Sequence, residues 1–148
     1  NVQTRLAKLD GGEYSALVLA AAGLKRLGLE DRICRYFSAE EILPAAGQGI
    51  LVVQTRKGTD TDCLRLVRDE DSTCCALAER AFVRTLDGGC TSPVAAHAVA
   101  DGGTLTLTGF YVSADESIQR KGTLSGPREQ AEQLGQALAN QLREGEGQ

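Results

Sequence analysis

The string Leu86-Asp-Gly-Gly-Cys90-Thr-Ser-Pro93 sets a thiol just past a helical pattern, between two glycines and a proline. Gly88 and Gly89 permit positive φ and a close approach of another group to the backbone. A thiol on such a loop is easier to reach than one inside a helix. Reach is the precondition for covalent use, since the attacking species is the thiolate. No base stands nearby, and the carbonyl end of the preceding helix carries negative character, which does not lower a thiol pKa. These residues leave two readings for Cys90: a covalent anchor, or a turn cysteine that packs. A second set is basic. Arg5, Lys8, Lys25 and Arg26 surround the apolar run at 14–20. Loops beside the ends of parallel strands are where α/β proteins bind ligands, and arginine suits bidentate capture of carboxylates. The competing reading is an ordinary solvated face. Gly47-Gln48-Gly49 can cradle an anion with backbone N–H groups or make a tight turn before a strand. His97, the sole histidine, lies in an apolar stretch and reads as a structural side chain.

The other cysteines are Cys34, Cys63, Cys74 and Cys75, making five in all. An odd number without a disulfide spacing points to a reducing cytoplasm. Zinc sites use pairs such as Cys-x2-Cys with histidine partners, whereas adjacent residues on a helix, as at Cys74-Cys75, project about 100° apart. These four read as small, buried or half-buried apolar side chains.

The elements that must position these groups follow from periodicity. Residues 2–10 place Val2, Leu6 and Leu9 at helical spacing, ended by Gly11-Gly12. Residues 14–20 read as a short buried parallel strand, and 21–29 as a helix with Leu24 and Leu27 inward. Helix–strand–helix is a fragment of an α/β layer. Ser38-Ala-Glu-Glu41 is a possible capping box before Pro44, and β-branched content predicts a strand at 50–55. A polar boundary at 56–62 follows. Beyond it, Cys74, Leu77, Ala78, Ala81, Phe82 and Thr85 predict a helix over 72–86, capped by Asp71 or Ser72. Strands are predicted at 93–100, 104–112 and 117–124, the first two joined by Asp101-Gly102-Gly103, and a last helix over 127–143. The second region is an α+β domain: a three-stranded antiparallel sheet with helices on one face.

The chain has 148 residues, 42% hydrophobic and 24% charged, enough for one or two small domains with a real core. A net charge of −4 argues against nonspecific nucleic-acid binding. The longest apolar stretch, 16–23, is far short of a bilayer span, and no secretory signal opens the sequence. There is no Met, and the chain opens inside a periodic segment. The expectation is a piece of a longer polypeptide.

Five strings then coincide in order: Asn1-Val-Gln-Thr-Arg-Leu-Ala-Lys-Leu-Asp10, Leu19-Ala-Ala-Ala-Gly-Leu-Lys-Arg-Leu-Gly28, Leu43-Pro-Ala-Ala-Gly-Gln-Gly49, Ala78-Glu-Arg-Ala-Phe82 and Leu86-Asp-Gly-Gly-Cys90. Together they resemble the porphobilinogen deaminase (hydroxymethylbilane synthase) family over essentially the whole chain. The resemblance is to the second half of a three-domain enzyme. It implies that 1–33 are part of domain two, an α/β fold like that of periplasmic binding proteins. It further implies that 34–57 are a crossover with a strand returning to domain one, and that 58–148 are domain three.

The resemblance also implies a transferase that joins four porphobilinogen units head to tail, with release of ammonia, to make hydroxymethylbilane on the route to haem. A dipyrromethane cofactor primes the chain, held by a thioether to the cysteine that Cys90 matches. Arg5 and Arg26 match arginines that neutralise the pyrrole carboxylates. Leu19, Ala20 and Gly23 match positions lining the cofactor, Gln48 matches a cleft glutamine, and Lys8 stands beside this set. The family's catalytic aspartate belongs to domain one, so no catalytic residue is expected in this chain, and neither Asp10 nor Asp87 is given that role. Thr91-Ser92 departs from the Gln-Val or Ser-Val more usual after the family's cysteine. The implied partners are porphobilinogen and the N-terminal portion of the same enzyme, within a cytoplasmic, monomeric parent without nucleic acid or membrane. The competing readings are a non-catalytic α+β binding module that kept the fold and, behind it, a metal-binding cysteine protein.

Overall fold

The computed structural model describes residues 1–86 and 93–145. The chain forms two compact units, Asn1–Ser38 and Ala39–Gln148. It mixes helices with one three-stranded antiparallel sheet, in keeping with an α/β fragment followed by an α+β domain.

The first unit holds two helices. Helix α1 (Val2–Asp10) starts where the Asn1 side chain accepts the Thr4 N–H at 2.8 Å. That bond satisfies one of the four donors a helix start leaves open. Helix α2 (Ala21–Arg26) is shorter than its periodicity predicts. Leu6 and Leu24 are buried, as expected, but Leu27 falls beyond the helix end and is exposed. The larger departure is at 14–20, which belongs to no strand. Val18 is 72% exposed, so the run is not buried either. A parallel strand exists only through ladder neighbours on its flanks, and the described residues of this unit supply none.

In the second unit, the strand predicted at 50–55 is likewise missing, and Leu51 stands 83% exposed. Helix α3 (Glu70–Thr85) begins two residues before the predicted start. Its N-cap is Asp69, whose carboxylate accepts the Ser72 N–H at 2.6 Å, so neither Asp71 nor Ser72 does this work. The Ser72 backbone N–H and then its hydroxyl hold the Asp69 carboxyl below the usual carboxylate range. The sign follows directly. A folded-state pKa below the unfolded one gives stability that is full above the unfolded pKa and is lost as pH falls through the folded one. Asp69→Asn, which keeps an acceptor oxygen but cannot titrate, is therefore expected to flatten the acid limb of α3 unfolding. Circular dichroism across pH 2–5 (roughly the carboxylate range) checks this. An unchanged acid limb would remove Asp69 from the account.

The sheet is a meander of β1 (Ala95–Asp101), β2 (Thr104–Val112) and β3 (Gln119–Pro127) in the order β1-β2-β3. Strand β1 starts after Pro93, which has no N–H for a ladder. Strand β3 starts later than predicted because the chain between it and β2 is tied into a loop. There the Asp115 carboxylate accepts from the Ser113 and Ser117 hydroxyls, and the Ser113 N–H meets the Ile118 carbonyl at 2.9 Å. Alternation fixes the faces. Leu105 and Leu107 point into the core, while Thr106 and Thr108 point out and share hydroxyl hydrogen bonds with Ser125 and Thr123.

Helix α4 (Ala131–Glu144) follows a 3-10 turn at Arg128–Gln130 and presents Leu134, Leu138 and Leu142 to the same core as Phe82 of α3. Among the described residues, no helix is long and apolar enough to cross a membrane.

Candidate functional site

The first unit separates its cations into two kinds. Lys8 pairs with Glu13 at 3.1 Å and lies over the Tyr14 ring, and Arg32 pairs with Asp10 at 2.6 Å. Lys25 pairs with Glu30 at 3.2 Å and lies over the Tyr36 ring. The hydrogen bond between Lys25 and Glu30 raises the lysine pKa and lowers that of the carboxyl. Arg5, on α1, and Arg26, the last residue of α2, are exposed and have no side-chain partner among the described residues. Neighbouring carboxylates thus occupy the charges of Lys8, Lys25 and Arg32 and leave two guanidinium forks, each able to take a carboxylate in two hydrogen bonds. These two are the arginines that the resemblance singles out. Lys8, which stands beside them in sequence, is already engaged.

The apolar members of the set lie at the entry to α2. Ala20 is its N-cap residue with extended backbone, Leu19 is half-buried, and Gly23 sits within the helix. A Cβ at Gly23 would stand 3.7 Å from Val2 Cγ2, an ordinary contact. Packing inside this unit therefore does not require glycine at that position.

In the second unit, Gln48 is exposed between two glycines in left-handed conformation, with φ of 76° at Gly47 and 85° at Gly49. Such angles are cheap only for glycine. The Gln48 N–H donates to the Ala45 carbonyl at 3.0 Å and the Ile50 N–H to the Gly47 carbonyl at 3.2 Å. The Gly47 N–H donates to Glu79. With the Gly47 and Gln48 N–H groups spent inside the protein, this segment is a pair of tight turns presenting a glutamine side chain, not a backbone cradle for an anion.

Sequence reasoning missed Glu79. It is a buried carboxylate on α3, accepting the Gly47 N–H through Oε2 at 2.6 Å and the Ala98 N–H through Oε1 at 2.8 Å. The His97 Nδ1 lies 3.8 Å from Oε1, consistent with a structural place for that histidine. No periodic signal marks Glu79, because a glutamate amid a helical pattern ordinarily belongs to the solvated face.

The cysteines are distinguished by their surroundings. Cys74 is buried and its Sγ donates to the Asp71 carbonyl at 3.1 Å. Cys75 is half-buried, and burial above all pushes its thiol up to about 11. A thiol held neutral in that way is neither a nucleophile nor a ready metal ligand. Cys34 and Cys63 are exposed. Cys90 lies outside the described residues.

Residues 1–64 match the family model described as "Porphobilinogen deaminase, dipyromethane cofactor binding domain". Residues 73–144 match "Porphobilinogen deaminase, C-terminal domain". Among curated relatives, the porphobilinogen deaminase of Ruminiclostridium josui is 53% identical over 143 residues, covering 97% of this chain and 49% of the relative. That of Alkaliphilus oremlandii is 54% identical over 143 residues, covering 97% of this chain and 48% of the relative. That of Acetivibrio thermocellus is 54% identical over 145 residues, covering 98% and 49%. A chain with two open guanidinium forks in its first unit and a sheet-and-helix second unit is thus met, along nearly its whole length, by one set of relatives. The chain belongs to the porphobilinogen deaminase family. It spans about half the length of the curated relatives it matches.

Proposed function

We propose that this chain acts as the second half of a porphobilinogen deaminase. The complete transferase joins four porphobilinogen molecules into hydroxymethylbilane with release of ammonia, in tetrapyrrole and haem biosynthesis. The observation that carries this reading is the pair of guanidinium groups, Arg5 and Arg26, that have no side-chain partner among the described residues and lie within the stretch that matches the family's cofactor-binding domain.

These residues fit an acidic pyrrole ligand. Dipyrromethane and the pyrroles added to it bear acetate and propionate groups, and planar guanidinium groups bind carboxylates in bidentate fashion. When bound, the cofactor supplies a primer from which the product chain grows. Arg5 and Arg26 hold carboxylates, Leu19, Ala20 and Gly23 line the cofactor, and Gln48 offers an amide that both donates and accepts. Cys90 is the covalent mooring, through a thioether. A tethered chain stays at high effective concentration beside one catalytic site while each unit docks.

In the domain plan, 1–33 belong to a periplasmic-binding-protein-like second domain, 34–57 cross back to the first domain and 58–148 form the third. The N-terminal portion supplies the catalytic aspartate and the strands beside which 14–20 and 50–55 can pair. The parent is a cytoplasmic monomer.

The test joins this chain to the N-terminal portion and supplies porphobilinogen. Ammonia release and a covalent mass adduct on this chain are expected. Absence of both, with both portions folded, would overturn the reading. Within the active protein, Arg5→Lys and Arg26→Lys keep the charge but lose the fork. Each is expected to raise the KM for porphobilinogen by about tenfold, since a bidentate charged contact is worth over 1 kcal/mol (order of magnitude). Thermal stability should hold, because neither guanidinium has a side-chain partner to lose among the described residues. Unchanged KM values in both would remove these arginines from the site.

A further inference from the structure

Among the described residues, strand β1 pairs with β2 alone, and two of its outward N–H groups are covered by different devices. The Ala96 N–H donates to the Pro44 carbonyl at 3.2 Å and the Ala98 N–H to Glu79 on α3. For Ala98 alone, a buried carboxylate is an expensive solution. Moving a charge out of water is costly, and among the described residues no lysine or arginine pairs with Glu79. A neutral amide oxygen would serve a single N–H as well.

The second oxygen explains the choice. Glu79 Oε2 takes the Gly47 N–H at 2.6 Å, one residue before Gln48. A carboxylate is acceptor-only with two equivalent oxygens, so it can receive two backbone donors arriving from two directions. An amide has one oxygen, and its NH2 would face the other N–H as donor against donor. We propose that Glu79 is a positioning residue. It clamps the Gly47-Gln48-Gly49 turn to α3 and β1, and so fixes Gln48 relative to the helix whose chain runs on to Cys90. The clamp joins segments 32 residues apart in sequence, the turn that carries Gln48 and helix α3. The inference rests on the reading above that Gln48 lines the cofactor site.

The experiment is a double-mutant cycle in the complete enzyme with Glu79→Gln and Gln48→Ala, reading kcat/KM and thermal stability in parallel. If Glu79 acts through Gln48, Glu79→Gln lowers kcat/KM by about tenfold in the parent background, because a displaced site group loses productive geometry. It then causes little further loss once Gln48 is alanine, while its effect on stability is the same in both backgrounds. A loss equal in both backgrounds, or no loss while Gln48→Ala is impaired, overturns the positioning role and leaves the site reading intact. Full activity in Gln48→Ala overturns the site reading and this inference with it. Amide exchange on the unsubstituted enzyme tests the clamp without any variant. The Gly47 and Ala98 amides are expected to share the protection of α3, and a Gly47 amide exchanging like an open loop would refute it.

Discussion

Cys90→Ser in the complete enzyme is expected to remove the covalent pyrrole adduct altogether and to lower turnover by at least about a thousandfold, the scale on which a tether replaces encounter from solution. The substitution changes one atom, so the fold has little reason to respond. A thioether requires sulfur as the nucleophile, and a serine hydroxyl has no comparable ionised fraction near neutral pH. The remaining cysteines supply the contrast. Cys75 is held neutral, its thiol pushed up to about 11 mainly by burial, and Cys74 is buried against the Asp71 carbonyl. Cys63 is exposed, so reach alone would make it a competitor. Cys63→Ser is expected to leave the adduct in place, which would show that the position of Cys90 in the chain matters and not mere access. Intact mass of the purified protein, before and after treatment with porphobilinogen, reads all of this. An adduct that persists in Cys90→Ser would move the mooring elsewhere and sink the assignment of this residue.

The helices and strands of the second unit could be read from the sequence because each is stabilised by neighbours within the same chain. The stripe of Cys74, Ala78 and Phe82 shares one core with Leu134, Leu138 and Leu142, and the alternation of Leu105 and Leu107 with threonines meets its own hairpin partner across Asp101-Gly102-Gly103. Local pattern and tertiary packing agree there, so periodicity was a sufficient guide. The two runs that failed, 14–20 and 50–55, have the composition of strands but no ladder partner among the described residues. Strand propensity measures fit to a pleated, half-buried surface, and it says nothing about whether that surface is present. Both runs leave large apolar side chains in solvent, Val18 in one and Leu51 in the other.

The candidate site divides along the same line. Arg5 and Arg26 were found as types, but types do not reveal which cations are already paired. Only the ion pairs of Lys8, Lys25 and Arg32 separate the occupied charges from the open ones. Glu79 was invisible for a different reason. Its burial comes from a turn 32 residues earlier and a strand 19 residues later, and no window along α3 contains either.

The largest stability loss is expected at a position that carries no chemistry. Helix α4 crosses α3 at Gly135, where a Cβ would run into the Ala78 carbonyl oxygen and stand 2.8 Å from Ala81 Cβ and 2.9 Å from the Phe82 nitrogen. Two of these three obstacles are backbone atoms of a hydrogen-bonded helix, which cannot turn aside as a side chain can. Gly135→Ala must therefore push α4 off α3, opening the core around Phe82 and Leu138. The gain in helix propensity from replacing glycine, about 1 kcal/mol, is too small to offset this. A net loss of about 3 kcal/mol is expected, at the upper end of ordinary overpacking, with Tm lower by at least about 10 °C. Gly109 offers the instructive comparison. A Cβ there would lie 2.6 Å from the Phe82 ring, the far end of a side chain. Gly109→Ala should be destabilising alone and largely rescued by Phe82→Leu, which withdraws the ring edge, so the pair is strongly non-additive. Gly135→Ala should gain nothing from Phe82→Leu, since the Ala78 carbonyl remains where it was. Urea unfolding midpoints of the single and double variants decide the matter. A Gly135→Ala chain within 1 kcal/mol (about the spread of mild core changes) of the parent would mean that the two helices are free to separate, and that the close crossing is not what holds the second unit together.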